Sequence, residues 1–228
     1  MKSHKSTYTI PFAPEALTRI LPILLLTTLL SAASLSSCSD DDNGSRYPSV
    51  RTELVEASTN STKNVVSILL DDGTRYGVSR AISSSTADTV FRCVCTFDEK
   101  EGQSEPDIYS IYSIPSGLPL KSSEVEQHKD ADYYVISTWI TPRYINAFIS
   151  FKTTGNGQHK IYFIEDSLNE NSDGTHTAHV SLVHERPEDD PESYTERTYV
   201  SLPLWHYEST ADTVKLSLSG TVVQSPGE

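Results

Sequence analysis

Short runs of β-branched and aromatic residues alternate with polar positions along most of the chain, and turn residues separate the runs. From residue 50 onward, no stretch shows a sustained 3.6-residue apolar period, which would indicate an amphipathic helix. Five such runs precede Pro115, and they cover residues 50–57, 64–70, 74–78, 90–97 and 108–114. The pattern therefore predicts an all-β protein whose first part has five strands.

The second half of the chain has longer runs that are richer in aromatic residues. They cover residues 133–140, 143–152, 160–165, 176–184, 197–204 and 212–223. Six antiparallel strands at this spacing are typical of a β-sandwich. Residues 115–121 (PSGLPLK) are rich in Pro and Gly, so they predict a hinge between two units. We expect one domain over residues 46–120 and a second over residues 121–228.

The N-terminus carries a pattern of export. Lys2, Lys5 and Arg19 precede an apolar run at residues 20–30, and small residues follow up to Cys38. This order is that of a secretory signal, and the run is too short to span a bilayer as a stable helix. Leu35-Ser36-Ser37-Cys38 resembles a lipobox, so we expect residues 1–37 to be removed and Cys38 to be acylated, with palmitate among its chains.

An acidic stretch follows the lipidated cysteine. Residues 38–45, with three consecutive aspartates at 40–42, predict a solvated tether. The stretch also resembles an export tag of Gram-negative gut anaerobes, so we expect an outer-membrane anchor on the cell surface. A periplasm-facing anchor is the alternative. Attachment to the membrane through acyl chains follows in either case.

The charge of the chain limits its partners. The formal net charge is -13, and the segment at residues 1–37 contributes +2, so the remainder carries about -15. Such a surface repels phosphate backbones, which argues against nucleic-acid binding. It favours a cationic or neutral partner.

Signatures of catalysis and metal binding are not found in the sequence. It has no G-x-S-x-G elbow, no H-E-x-x-H helix and no phosphate-binding glycine loop. The carboxylates cluster in loops, where water is expected to keep their pKa values ordinary. His176, His179 and His184 do not share one face of a strand, and residues 169–174 fit a hairpin turn better than a calcium loop. We expect no enzyme activity, no cofactor and no metal.

Two cysteines remain after Cys38. Cys93 and Cys95 alternate around Val94, so both side chains should point to one face of a strand. A bridge between such neighbours would be strained, and a zinc site would need a second pair. We therefore expect two small buried side chains.

Several short motifs together resemble a known family. Besides the lipobox and the acidic tether, they are Tyr47-Pro48-Ser49-Val50, Leu70-Asp71-Asp72-Gly73 with Tyr76, Arg92, and Arg143-Tyr144-Ile145-Asn146 with Phe148. This set is similar to the NigD-like lipoproteins. The resemblance implies an N-terminal OB-like five-stranded β-barrel followed by an antiparallel β-sandwich. It also implies a secreted lipoprotein from an operon context linked to bacteriocin production, and it supplies no catalytic residues.

The expected function is therefore binding. The first hypothesis is a non-catalytic envelope lipoprotein that acts as a protein-binding or assembly module, using β-edges and the acidic loop at residues 186–196. The alternatives are a glycan-binding accessory protein and an immunity or inhibitor protein linked to a secreted toxin. For glycan binding, Trp205 and Tyr207 are the candidate ligand-binding residues, because we expect Trp205-His206-Tyr207 to be exposed near a loop.

Overall fold

The computed structural model describes residues 50–99, 105–125, 130–155, 157–188 and 190–225. The predictions on the signal segment, on lipidation of Cys38 and on the acidic tether lie outside these residues.

The described residues form thirteen β-strands and one 3₁₀ turn at Ser122–Glu124. The predicted all-β class is confirmed. Within these ranges, no helix has the length and apolar content needed to cross a bilayer. The strands are β1 Val50–Thr59, β2 Val65–Leu70, β3 Arg75–Gly77, β4 Val90–Asp98, β5 Asp107–Ser113, β6 Leu120–Lys121, β7 Tyr134–Ile140, β8 Tyr144–Thr153, β9 Lys160–Glu170, β10 His176–Glu185, β11 Tyr194–Pro203, β12 Thr213–Leu218 and β13 Thr221–Gln224.

The first five strands form one antiparallel sheet, here called the N-terminal sheet, in the order β3-β2-β1-β4-β5. Its core contains Val55, Ile68 and Phe97, each fully shielded from solvent. Among the described residues, no recorded pairing joins β3 to β5, so the expected barrel is not closed. With three residues, β3 offers too little backbone for a long closing ladder.

A tight hairpin turn at Asp71-Asp72-Gly73 joins β2 to β3. Gly73 has a φ of +89°, a conformation that costs an L side chain energy but costs glycine little. The Asp72 carboxylate accepts a hydrogen bond from the backbone N–H of Thr74 at 2.8 Å. This local bond helps to hold the turn between β2 and β3.

The C-terminal sandwich consists of a five-stranded sheet, β13-β12-β10-β9-β6, and a three-stranded sheet, β11-β8-β7. Buried residues from both sheets, including Ile149, Val180, Val200 and Leu216, share one hydrophobic cluster. Alternating positions on β8 and β10 supply this inner face, as expected for half-buried strands.

The sandwich is not wholly antiparallel, which corrects the prediction. Strand β12 runs parallel to β10, and β6 runs parallel to β9. Because β11 belongs to the other sheet, the chain crosses between the sheets and returns beside β10 in the same direction. The run at residues 212–223 is also two strands, which turn at Gly220 with a φ of +76°.

The segment at residues 115–121, which is predicted to be a hinge, pairs with the sandwich. The N–H of Ser201 donates to the carbonyl of Pro115 at 3.1 Å, and β6 pairs with β9. The described residues from Val50 onward cluster as one compact unit that contains two separate hydrophobic clusters. A domain boundary at residue 120 stays a prediction.

Candidate functional site

A buried arginine joins the N-terminal sheet to the sandwich. Arg92 lies on β4, opposite to the core-facing Cys93, and is 3% exposed. Its two terminal nitrogens donate to the two carboxylate oxygens of Asp71 at 2.6 and 2.7 Å. Such a bidentate pair holds both side chains in one geometry.

Three sandwich residues surround the same guanidinium. Its carbon lies 4.0 Å from the ring centroid of Tyr144, and it donates to Asn146 Oδ1 at 3.3 Å and to Ser201 Oγ at 3.4 Å. The hydroxyl of Ser201 also donates to Asn146 Oδ1 at 2.7 Å. Arg92 therefore satisfies acceptors on both halves of the molecule, which fixes their contact.

A second ion pair lies beside the first. Glu56 of β1 accepts hydrogen bonds from the hydroxyl of Tyr144 at 2.9 Å and from Arg143 at 2.7 and 2.8 Å. Burial, and then the negative charge of Glu56, raises the pKa of Tyr144 to about 12. Hydrogen bonds to Glu56 raise the pKa of Arg143. The phenol is thus a fixed hydrogen-bond donor at neutral pH.

An open cleft of about 510 Å³ lies beside this junction. One wall consists of residues 51–54 of β1 together with residues 70–72, and the opposite wall comes from the three-stranded sheet through Ser137, Trp139, Phe148 and Tyr199. We refer to it below as the cleft. Its volume lies within the range of about 300–1,000 Å³ that is typical of ligand sites.

The sandwich wall of the cleft is aromatic. The rings of Phe148 and Tyr199, which are opposite each other on β8 and β11, stack with centroids 4.4 Å apart. Trp139 on β7 meets Tyr199 edge-on at 6.0 Å and 83°. Phe148 and Tyr199 thus pair across neighbouring strands, and all three rings stay partly exposed.

The opposite wall is charged. Arg51 lies 3.1 Å from Glu53 and 2.5 Å from Glu99, so its positive charge is already balanced. Hydrogen bonds from Thr74 hold the pKa of Asp72 below its ordinary value. The lining thus has three carboxylates, Glu53, Asp71 and Asp72, against one guanidinium.

A second polar cluster is buried at the far end of the sandwich. His159 Nδ1 lies 2.7 Å from His184 Nε2, and His159 Nε2 lies 2.6 Å from Asp190 Oδ2. His184 Nδ1 lies 3.3 Å from the carbonyl oxygen of Ala131. His184 and Asp190 are each 1% exposed, so this chain of hydrogen bonds has little contact with solvent.

Comparison with known proteins bears on these features. Residues 117–224 match the family described as the NigD-like C-terminal beta sandwich domain. This part of the chain is a NigD-like C-terminal β-sandwich domain. The resemblance predicted from the sequence motifs is therefore confirmed. The matched residues include β7, the strand that carries Trp139.

Solved structures agree with this assignment. A NigD-like immunity protein from Bacteroides caccae is 26% identical, with a TM-score of 0.59, over 78% of this chain and 93% of that one. Two further structures share the fold. One is a candidate toxin-related protein from Parabacteroides distasonis, which is 16% identical with a TM-score of 0.51 over 77% of this chain and 91% of that one. The other is a candidate lipoprotein from Bacteroides fragilis, which is 9% identical with a TM-score of 0.52 over 78% of this chain and 96% of that one. No curated protein matches the sequence.

In this NigD-like domain, the two residues predicted to bind ligand are not displayed together. Trp205 is 43% exposed, whereas Tyr207 is 2% exposed and belongs to the sandwich core. The prediction that Tyr207 is exposed is wrong, because the turn after β11 folds its ring back between the sheets. Ligand contact at Trp205 stays a prediction, and Trp205 does not line the cleft.

The expectation that the carboxylates are all solvated is wrong for Asp190. Hydrogen bonds from Thr154, and then from Thr153 and His159, hold its pKa far below the ordinary value. The sequence pattern groups His184 with His176 and His179, but its hydrogen-bond partner in the structure is His159, 25 residues away. No spacing rule reveals this pairing, since the register of β9 and β10 creates it.

The prediction for the two remaining cysteines is confirmed. Cys93 and Cys95 are both fully buried in the N-terminal sheet and are free thiols. Burial raises the pKa of each thiol to about 12. Both are therefore protonated at neutral pH and unreactive while the sheet is folded.

Proposed function

We propose that this NigD-like chain is a non-catalytic envelope protein that binds a partner protein in the cleft. The observation that supports this is the construction of the cleft, whose two walls come from the two halves of the molecule. Arg92, through its contacts with Tyr144, Asn146 and Ser201, and the Arg143–Glu56 pair hold these halves together at its side. A site that is formed before binding loses less conformational entropy on association.

Burial of the histidine chain supports a non-catalytic role. His159, His184 and Asp190 resemble an acid–base relay, but a relay must reach the proton that it transfers. The side chains of His159 and Asp190 are 9% and 0% exposed, and neither residue lines the cleft. The hydrogen-bonded residues His159, His184 and Asp190 are therefore better explained by a structural role than by a catalytic one.

The proposed location is the outer face of the outer membrane. Acylation of Cys38 would anchor the protein, and the acidic tether at residues 38–45 would separate the described residues from the lipid surface. A neighbour of the same fold is named as a candidate lipoprotein, which supports an envelope location.

An immunity role is the form of binding that we propose first. The Bacteroides caccae structure carries that name, and its identity of 26% extends over 78% of this chain. An immunity protein acts by occupying the surface of its target, which needs a shaped site and no chemistry of its own. The cleft supplies such a site.

Site-specific crosslinking tests partner binding. A photo-crosslinking amino acid is placed at Ser137, an exposed cleft residue, and at Val222, which is 63% exposed on β13 away from the cleft. We expect a defined protein adduct in native cells from position 137 that is lost with Trp139→Ala and retained with Tyr134→Ala on the same strand. Equal adducts at both positions would contradict the proposal.

Deletion of the gene tests the immunity form. We expect the deletion strain to be killed or inhibited by related strains in coculture, and the wild-type gene to restore resistance where a Trp139→Ala gene does not. Unchanged sensitivity with a clear adduct at position 137 would instead support an assembly role. Retention of the protein on a polysaccharide array, without any protein adduct, would support the glycan-binding alternative.

A further inference from the structure

The chemistry of the cleft indicates which part of a partner it holds. This inference rests on the proposed function, because it concerns the ligand of the same cleft. Its starting point is that one wall presents aromatic rings and the other presents an excess of carboxylates. An anionic ligand would be repelled by these carboxylates, and an apolar ligand would gain nothing from their charge.

The aromatic wall forms a corner. Trp139 stands at 83° to Tyr199, so the two rings present differently oriented π surfaces. Phe148 stacks on Tyr199 at 24° and limits the freedom of that ring. A cation placed over such a ring face is attracted by the ring quadrupole, and tryptophan is the strongest of the aromatic partners.

The acidic wall carries an excess of negative charge. Arg92 balances Asp71, and Glu53 with Glu99 surrounds Arg51. Asp72 lies in the turn and accepts hydrogen bonds from Thr74, which is not charged. With Asp71 neutralised by Arg92, the carboxylates of Glu53, Glu99 and Asp72 stand against the single charge of Arg51, so the wall carries two more negative than positive charges.

The chain already shows the same recognition internally. The guanidinium of Arg92 lies 4.0 Å above the ring of Tyr144 and pairs with the carboxylate of Asp71. The cleft offers a solvent-open version of this arrangement, in which Trp139 and Tyr199 take the place of Tyr144 and Asp72 takes the place of Asp71.

We propose that the cleft binds a lysine or arginine side chain of the partner protein, between the aromatic corner of Trp139 and Tyr199 and the carboxylates of Asp72 and Glu53. The overall charge of -13 attracts a basic partner over a longer range, and the cleft selects one of its side chains. The volume of about 510 Å³ leaves room for the flanking backbone of an exposed loop.

Fluorine NMR tests this directly, because the chain has two tryptophans. The protein is labelled with 5-fluorotryptophan, and Trp205→Phe identifies which resonance belongs to Trp139. Acetyl-Gly-X-Gly-amide peptides are titrated with arginine, lysine, norleucine or glutamate as X. We expect saturable shifts of the Trp139 resonance with the arginine or lysine peptide only, while Trp205 serves as the internal control.

Two hairpins of the chain provide a matched pair of variants. Asp72-Gly73-Thr74 borders the cleft, and Asp173-Gly174-Thr175 repeats the same sequence on another hairpin. In both hairpins the backbone N–H of the threonine donates a hydrogen bond to the aspartate carboxylate. We expect Asp72→Asn to weaken binding of the basic peptide by about 2- to 5-fold, as for one exposed ion pair. Asp173→Asn should leave binding unchanged.

The outcomes separate this inference from the proposed function. Equal shifts with the norleucine and arginine peptides, or no shift with either basic peptide, would overturn the cation site. If the crosslinked adduct at position 137 still formed in that case, binding of a partner protein at the cleft would remain supported, and only the cation site would be lost. Equal weakening by Asp72→Asn and Asp173→Asn would show a general charge effect and would also contradict the site.

Discussion

His159 Nδ1 lies 2.7 Å from His184 Nε2, so the two buried imidazoles share one proton. Their outer nitrogens face two acceptors, the carboxylate of Asp190 and the carbonyl of Ala131. Burial disfavours a positive charge on His184, and the neighbouring His159 disfavours it further.

The first prediction is a loss of stability on acidification. Burial, and then the neighbouring His159, lowers the pKa of His184, so the unfolded state binds more protons than the folded state below about pH 6.5. The free energy of unfolding should therefore fall by up to about 1.4 kcal/mol per pH unit as the pH decreases from about 6.5. Urea unfolding at a series of pH values measures this slope.

His184→Gln tests the source of that slope, and His206→Gln is the control for loss of a histidine elsewhere. We expect the His184 variant to be less stable at neutral pH and to show a flatter slope below about pH 6.5. A slope equal to that of the wild type would assign the effect to other groups. Asp190, whose pKa is also lowered, contributes stability above about pH 3.9 that is lost at lower pH.

The second prediction concerns the junction of the two halves. Arg92→Met removes the positive charge and leaves Asp71, Asn146 and Ser201 without their shared donor. We expect a loss of about 3 kcal/mol in the free energy of unfolding, as for a broken buried pair. Arg197→Met, at an exposed position of β11, is the control. A loss below about 1 kcal/mol would show that Arg92 is not needed for the junction.

The third prediction concerns the thiols. In the soluble Cys38→Ala variant, Cys93 and Cys95 should not react with a thiol reagent under native conditions, since both are buried and their pKa values are raised to about 12. Both should react at once in denaturant. Rapid native labelling of either residue would show that the N-terminal sheet opens locally around β4 without global unfolding.

The fourth prediction concerns the anchor. We expect the wild-type protein to remain with the membrane fraction and the Cys38→Ala variant to be released from it, because acyl chains on Cys38 supply the attachment. Protease treatment of intact cells should cleave the wild-type protein while a periplasmic control protein survives. Survival of both proteins would place the anchor on the periplasmic side.

Local rules were sufficient for much of the secondary structure. The alternation of apolar and polar residues, read with turn residues such as Gly73, predicts the positions of most strands, because each signal depends on neighbours only a few residues away. The burial of Cys93 and Cys95 follows from the same alternation. The segment at residues 212–223 shows the limit, since one apolar run became two strands with a turn at Gly220.

The sequence by itself determined the all-β class, the strand positions, the family resemblance and the expectation of an acidic, exported binding protein. Only the tertiary structure decided which strands lie side by side, and therefore the parallel β10–β12 pair, the burial of Tyr207 and the open barrel. It also brought His159 to His184 and Trp139 to the wall opposite Asp72. The members of these two pairs are 25 and 67 positions apart in the chain. Their proximity depends on sheet register and on packing between sheets, which no local pattern specifies.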